Sequence, residues 1–103
     1  MELRGKQKRF LRSQAHHLDP IVQIGKHGLT DTVYDQVDDI LERRELIKIT
    51  LLQNTDEDIQ DVAWRMEEEL DCAAVQIIGR IIVLFRPSSK EKYQKLSPLV
   101  RKM

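Results

Sequence analysis

The chain has one cysteine, Cys72, and no set of Cys and His at zinc spacing around it, so an internal disulfide and a structural zinc site are both excluded. What remains for that thiol is the role of a small buried hydrophobe in a reducing compartment. No apolar run approaches the roughly 20 residues of a membrane-spanning helix, and the first residues lack the apolar core of a signal peptide. The expectation is a cytoplasmic protein with no membrane partner. Prolines number three and glycines four, and neither an internal repeat nor a domain linker is visible. With 103 residues, 41% hydrophobic and 33% charged, the chain has material for one domain with one modest core.

Net charge is also absent, but the zero conceals a pattern. Residues 1–28 carry six Lys or Arg against two Asp or Glu, residues 29–79 carry four against fourteen, and residues 80–103 carry seven against one. All three histidines lie in the first segment. Both ends are thus basic around an acidic middle. If the ends meet in space the molecule is bipolar and can orient on a polyanion despite its neutrality; the alternative is solvated faces that contact nothing.

Hydrophobic spacing divides the chain into alternating elements. Residues 6–18 read as a helix with Gln7, Phe10, Leu11, Ala15 and Leu18 along one side and Arg9, Arg12 and His16 on the other. Asp19-Pro20 stops it, since a residue before proline avoids the helical region. A strand follows over Ile21–Ile24, then a loop over Gly25–Gly28. Thr30 or Asp31 caps a second helix that runs to Arg44, buries Val33, Val37, Ile40 and Leu41, and turns Asp35, Asp38, Asp39 and Glu42 outward. A strand over Leu46–Leu52 puts Ile47, Ile49 and Leu51 on one face. A third helix over 56–70 buries Ile59, Val62, Ala63, Met66 and Leu70 and leaves Trp64 off that stripe, near Gln60, Glu67 and Glu68. Trp64 is then either a rim contact or a protein-binding residue.

Residues 74–85 contain two strands joined at Gly79-Arg80, a glycine-first pair suited to a tight hairpin. Ile81–Phe85 do not alternate, as befits a strand covered on both faces. Residues 88–103 are basic and poor in apolar side chains, and read as a frayed helix or mobile tail. The order α-β-α-β-α-β-β gives an α/β fold on a mixed four-stranded sheet, with the second and third helices on one face. The packing of the first helix is left open.

The stretch Pro20-Ile21-Val22-Gln23-Ile24-Gly25-Lys26-His27-Gly28-Leu29-Thr30 is the centre of the functional reading. Glycines at both ends of a four-residue loop permit positive φ and close approach of bare backbone to a ligand, and the N–H groups that open the next helix form an anion site. Such a loop fits an RNA backbone clamp. An unliganded strand-to-helix turn has the same composition. Catalytic chemistry finds no support. The loop lacks the second glycine followed by Lys and Ser or Thr of a Walker loop, no Gly-x-Ser-x-Gly elbow occurs, and His16, His17 and His27 make no metal set. Asp38-Asp39 and Glu67-Glu68-Glu69 fall on outer helix faces. The expectation is a non-enzyme with no cofactor and no bound metal.

Taken together, Gly5-Lys6-Gln7-Lys8-Arg9, Ala15-His16, the loop stretch, Glu45-Leu46-Ile47-Lys48, and Gln76-Ile77-Ile78-Gly79-Arg80 with Arg86-Pro87 resemble the CRM domain family, specifically its single-domain bacterial YhbY-like members. The resemblance spans nearly the whole chain to Pro87. It implies residues 1–87 as a CRM-like RNA-binding domain and 88–103 as a basic tail outside it. The implied fold is similar to the C-terminal domain of translation initiation factor three, with a KH-like Gly-x-x-Gly loop. The implied function is RNA binding in ribosome assembly, with ribosomal RNA of precursor large subunits, and ribosomal proteins, as partners of a monomer. Gly25, Lys26, His27 and Gly28 match the family's RNA-contacting loop. Arg9, Arg12 and His16 flank it in sequence, and Lys48, Arg80 and Arg86 extend the surface if their strands lie nearby. Many relatives open with Leu-Thr where this chain has Leu3-Arg4, so its first helix lacks that threonine cap. With five Phe, Tyr or Trp residues to stack on bases, recognition is expected to be of backbone and shape with modest base preference. The alternative function is a protein-interaction module that uses the acidic helical face and Trp64.

Overall fold

The computed structural model describes residues 1–103. Its elements are α1 (Gly5–Ala15), β1 (Pro20–Ile24), α2 (Asp31–Arg44), β2 (Leu46–Leu51), α3 (Ile59–Leu70), β3 (Ala73–Ile78) and β4 (Ile81–Phe85), then a 3-10 turn at Glu91–Tyr93 and a short helix α4 (Ser97–Arg101). The sheet order is β1-β2-β4-β3, with β1 parallel to β2 and β4 antiparallel to both its neighbours. The expected mixed α/β sheet is therefore present.

Each face of the sheet has its own core. Ile47, Ile49 and Leu51 of β2 and Ile82 and Leu84 of β4 point toward α2 and α3, where they meet Val37, Leu41, Val62 and Met66. The alternate residues Leu46, Val83 and Phe85 point the other way and meet Leu11 and Ala15 of α1. This is why β4 reads as an unbroken apolar run. Cys72 is fully buried in the larger core, and burial pushes its thiol up to about 12, which makes it inert at neutral pH.

The helix ends have identifiable causes. Thr30 accepts the Val33 N–H at 3.2 Å to start α2, and Asp58 accepts the Asp61 N–H at 3.1 Å to start α3. The latter start lies three residues beyond the expected one, because Asp58, with extended backbone, is the residue that caps it. At α1 the missing threonine is compensated by Gln7, whose Oε1 accepts the Arg4 N–H at 2.7 Å. That helix stops at Ala15 rather than at residue 18, and a turn at His16–His17 carries Leu18 back toward the smaller core.

Residues 88–103 are neither frayed nor mobile. Glu45 sits between α2 and β2 with φ +66°, a conformation that side chains other than glycine rarely adopt, and is completely buried. Its Oε1 accepts N–H groups of Lys95, Leu96 and Ser97, and its Oε2 accepts the Ser88 N–H at 2.8 Å and the Ser97 hydroxyl at 2.6 Å. Val100 then joins Leu11 and Phe85 in the smaller core. Burial alone would raise the Glu45 carboxyl, but these donors outweigh it and hold the group below the usual carboxylate range. Glu42 accepts from Ser88 and from both the amide and the hydroxyl of Ser89, which, with the largest effect from the Ser89 hydroxyl, lowers it to about 2.

Candidate nucleic-acid interface

Parallel pairing of β1 with β2 brings the C-terminal ends of both strands to one end of the sheet, together with the β3–β4 turn. The Gly25–Gly28 loop stands there. The Gly28 N–H donates to the Gly25 carbonyl at 3.0 Å, which closes a turn with Lys26 and His27 exposed at its tip. The backbone N–H groups of those two residues donate to no protein acceptor.

The two glycines are not equivalent. Gly28 has φ +67°, and a Cβ there would overlap Oε2 of Glu57. Gly25 does not have positive φ, contrary to the expectation for both, and a Cβ there would make ordinary contacts of 3.6 Å with Leu52 and Asn54. The fold therefore demands glycine at 28 but not at 25.

Glu57 holds the back of the loop, a role that no sequence pattern indicated. Its Oε2 accepts the Leu29 N–H at 3.0 Å, and its Oε1 accepts from Arg65 at 2.5 Å. Arg65 also pairs with Asp61 at 2.8 Å. The Leu29 N–H foremost, then Arg65, hold the Glu57 carboxyl below its ordinary range against the effect of burial. The expected anion site at the start of α2 is thus partly filled from within, by Glu57 on Leu29 and by Thr30 on Val33. The free donors of this loop are at its tip.

The other expected site residues divide into three groups. Arg9, Arg12 and His16 are exposed on α1, which packs on the sheet face opposite α2 and α3. Lys48 projects to that same face and lines a groove of about 510 Å³ with Arg12 and His16. These come together, and none of them is in an ion pair. Arg80 lies at the loop end, but its guanidinium is fastened to the Leu51 carbonyl at 2.9 Å and the Leu52 carbonyl at 2.6 Å, while Leu52 N–H bonds the Ile24 carbonyl. It positions the strand end beside the loop. Arg86 is not brought to this surface. It follows Phe85 at the opposite end of the sheet, where it is bound by Asp38 at 2.5 Å and by the Leu70 carbonyl at 3.1 Å. The exposed face of α1 is cationic, whereas α2 and α3 expose Asp31, Asp35, Asp39, Asp61, Glu68 and Glu69, and the loop stands at the border between the two, with Lys26 and His27 beside exposed Asp56. The bipolar arrangement of the sequence is a bipolar arrangement in space, across the sheet.

Residues 3–86 match the family model described as the CRS1 / YhbY (CRM) domain. Among curated proteins, the chain is 50% identical over 94 residues to a "Probable RNA-binding protein YqeI" of Bacillus subtilis, with 91% of this chain and 98% of the relative covered. It is 42% identical over 89 residues to an "RNA-binding protein" of Haemophilus influenzae, with 86% and 90% covered. Among solved structures, a hypothetical protein of Staphylococcus aureus determined in solution is similar, with a TM-score of 0.75, 47% identity, and 91% and 98% of the two chains covered.

Proposed function

The chain belongs to the CRS1 / YhbY (CRM) domain family, and on that footing we propose that it is a non-catalytic RNA-binding protein that grips RNA backbone with the Gly25–Gly28 loop and the basic face of α1. The observation that carries the reading is a group of cations without carboxylate partners on the α1 face and at the loop tip, two of them, Arg12 and Lys48, lining a groove with no acidic side chain. Arg43, Arg65 and Arg86 are paired with carboxylates. Arg9, Arg12, Lys26 and Lys48, by contrast, have no carboxylate partner, and they lie on the α1 face or at the loop end of the sheet. Cations gathered around a groove without acidic side chains are suited to phosphate. Lys26 and His27 supply the loop's exposed side chains and two free N–H donors. Arg80 acts by holding the strand ends, and Arg86 belongs to the structural framework at the far end.

The RNA in this reading is ribosomal RNA in precursor large ribosomal subunits, in the cytoplasm, with ribosomal proteins as neighbours during assembly. Lys26→Asp with His27→Asp, with both glycines kept, tests it. Binding to precursor large-subunit RNA is expected to fall at least about tenfold, or roughly 1.4 kcal/mol, with little change in thermal stability. Unchanged affinity would remove the loop from the interface.

A second reading is favoured by one observation: Trp64 is 58% exposed on the acidic side of the molecule. In that reading the α2–α3 face docks a protein. Trp64→Ala with Asp61→Ala would then release the partner while RNA binding stays intact. Retention of every protein partner by that variant would dismiss it.

A further inference from the structure

The helix α1 crosses the sheet without covering it. On the flank that faces the loop end, the row Lys48–Val83–Gln76 across β2, β4 and β3 is left beside the helix, with Ile78 beyond it, 49% exposed. The resulting groove of about 510 Å³ falls within the roughly 300–1,000 Å³ of clefts that hold small ligands. No acidic side chain lines it. Its floor is apolar, from Ala15, Val83 and Ile78, and cations stand at its rim, Arg12 from α1 and Lys48 from the sheet.

Two further features make this more than an uncovered patch. The pairing of β3 with β4 shifts register between Ala74 and Gln76, a bulge that turns both Val75 and Gln76 toward the α1 face. Gln76 thereby lines the groove, half-buried, with an amide that bonds no protein group. The early stop of α1 puts His16 and His17 at the mouth, edge to face, with ring centroids 5.4 Å apart. The sequence is poor in Phe, Tyr and Trp, but imidazole rings also stack on bases.

Resting on the RNA-binding reading, we propose that this groove receives one unpaired RNA base, which stacks on the His16–His17 pair above the Ile78 and Val83 floor. The Gln76 amide meets its hydrogen-bonding edge, and Arg12 and Lys48 hold the flanking phosphates. The RNA recognised is therefore single-stranded or bulged. A continuous A-form duplex keeps its bases stacked and paired and cannot insert one.

Fluorescence anisotropy with a 12-nucleotide single strand and a blunt 12-base-pair RNA duplex tests this. The protein is expected to prefer the single strand at least about tenfold. His16→Ala with His17→Ala, both exposed, should weaken the single strand at least about fivefold more than the duplex, the lower range of base–ring stacking. His16→Phe with His17→Phe should restore the single-strand affinity, because it keeps the aromatic rings. Equal binding of strand and duplex, an alanine pair without effect, or a phenylalanine pair that fails to rescue would each overturn the groove proposal. If the unmodified protein binds neither RNA, the RNA reading itself falls. Loss of both RNAs in the loop variant, with the histidine variant unaffected, keeps that reading and sinks only the groove.

Discussion

Replacing Glu45 by alanine removes the acceptor for five donors of residues 88–97. Hydrogen bonds to an ionised group are worth roughly 1.5–3 kcal/mol each, and five at that rate would rival the ~5–15 kcal/mol that holds a whole domain together. The loss has a ceiling, however, because the segment can undock and return its donors to water. That ceiling is the docking free energy of residues 88–103, whose apolar part comes chiefly from buried Val100 and half-buried Leu96, roughly 2–4 kcal/mol. Glu45→Ala is therefore expected to cost about 3 kcal/mol and to lower Tm by roughly 12–24 °C, at about 4–8 °C per kcal/mol for a domain of this size. Amide exchange at Leu96 and Ser97 should become fast. In a chain ended after Pro87 the same substitution should cost less than about 1 kcal/mol, because the donors are already gone; this is a double-mutant cycle with the tail as one partner. A full 3 kcal/mol loss in both backgrounds would refute the latch.

Gly28→Ala should destabilise by roughly 2–4 kcal/mol in chemical denaturation, from the left-handed backbone and the displaced Glu57 carboxylate. Gly25→Ala should stay within about 0.5 kcal/mol yet weaken RNA at least about fivefold if backbone is approached there; normal RNA affinity would count against the clamp. Arg9→Glu with Arg12→Glu should leave the fold intact and weaken RNA binding. In the unaltered protein, log K should fall with log salt at a slope of about −2 to −3.5, for roughly 3–5 phosphates neutralised at 0.7 each. A slope near zero would exclude an electrostatic grip. Glu42, Glu45 and Glu57 all have folded-state values depressed below 4.5. Their stabilisation is thus present above the ordinary carboxylate value and is lost as pH falls through the depressed folded-state values, about 2 for Glu42. Acid titration followed by amide exchange should release residues 88–101 as these carboxylates take up protons, and a tail whose protection does not fall with pH below the ordinary carboxylate range would contradict the assignment.

The sheet, α2 and the hairpin were legible because their information is local: period-two and period-3.6 apolar spacing, Thr30 as a cap, and Gly79 at a turn. The side taken by α1 was not, because the rule that placed α2 and α3 together applies to helices that connect parallel strands, and α1 connects none. The tail was misjudged because its ordering comes from a buried carboxylate some fifty residues away, a polar device invisible to hydrophobic spacing. The site was legible to the extent that charge could be read without its partners. Arg12, Lys26 and Lys48 remained free, whereas Arg86 met Asp38 across 48 residues of chain. Glu57, 28 residues from Leu29, had no sequence signal at all.

The three connections at the loop end of the sheet are tied to one another: Leu52 to Ile24, Arg80 to Leu51 and Leu52, and Glu57 to Leu29. A surface fastened this way arrives at its partner already shaped, so the entropy of fitting falls on the other molecule. Under the RNA reading, the nucleic acid does the adapting. Transcripts that spend more of their time with the right nucleotide extruded are captured faster, and the protein becomes a gauge of RNA flexibility as well as of RNA charge.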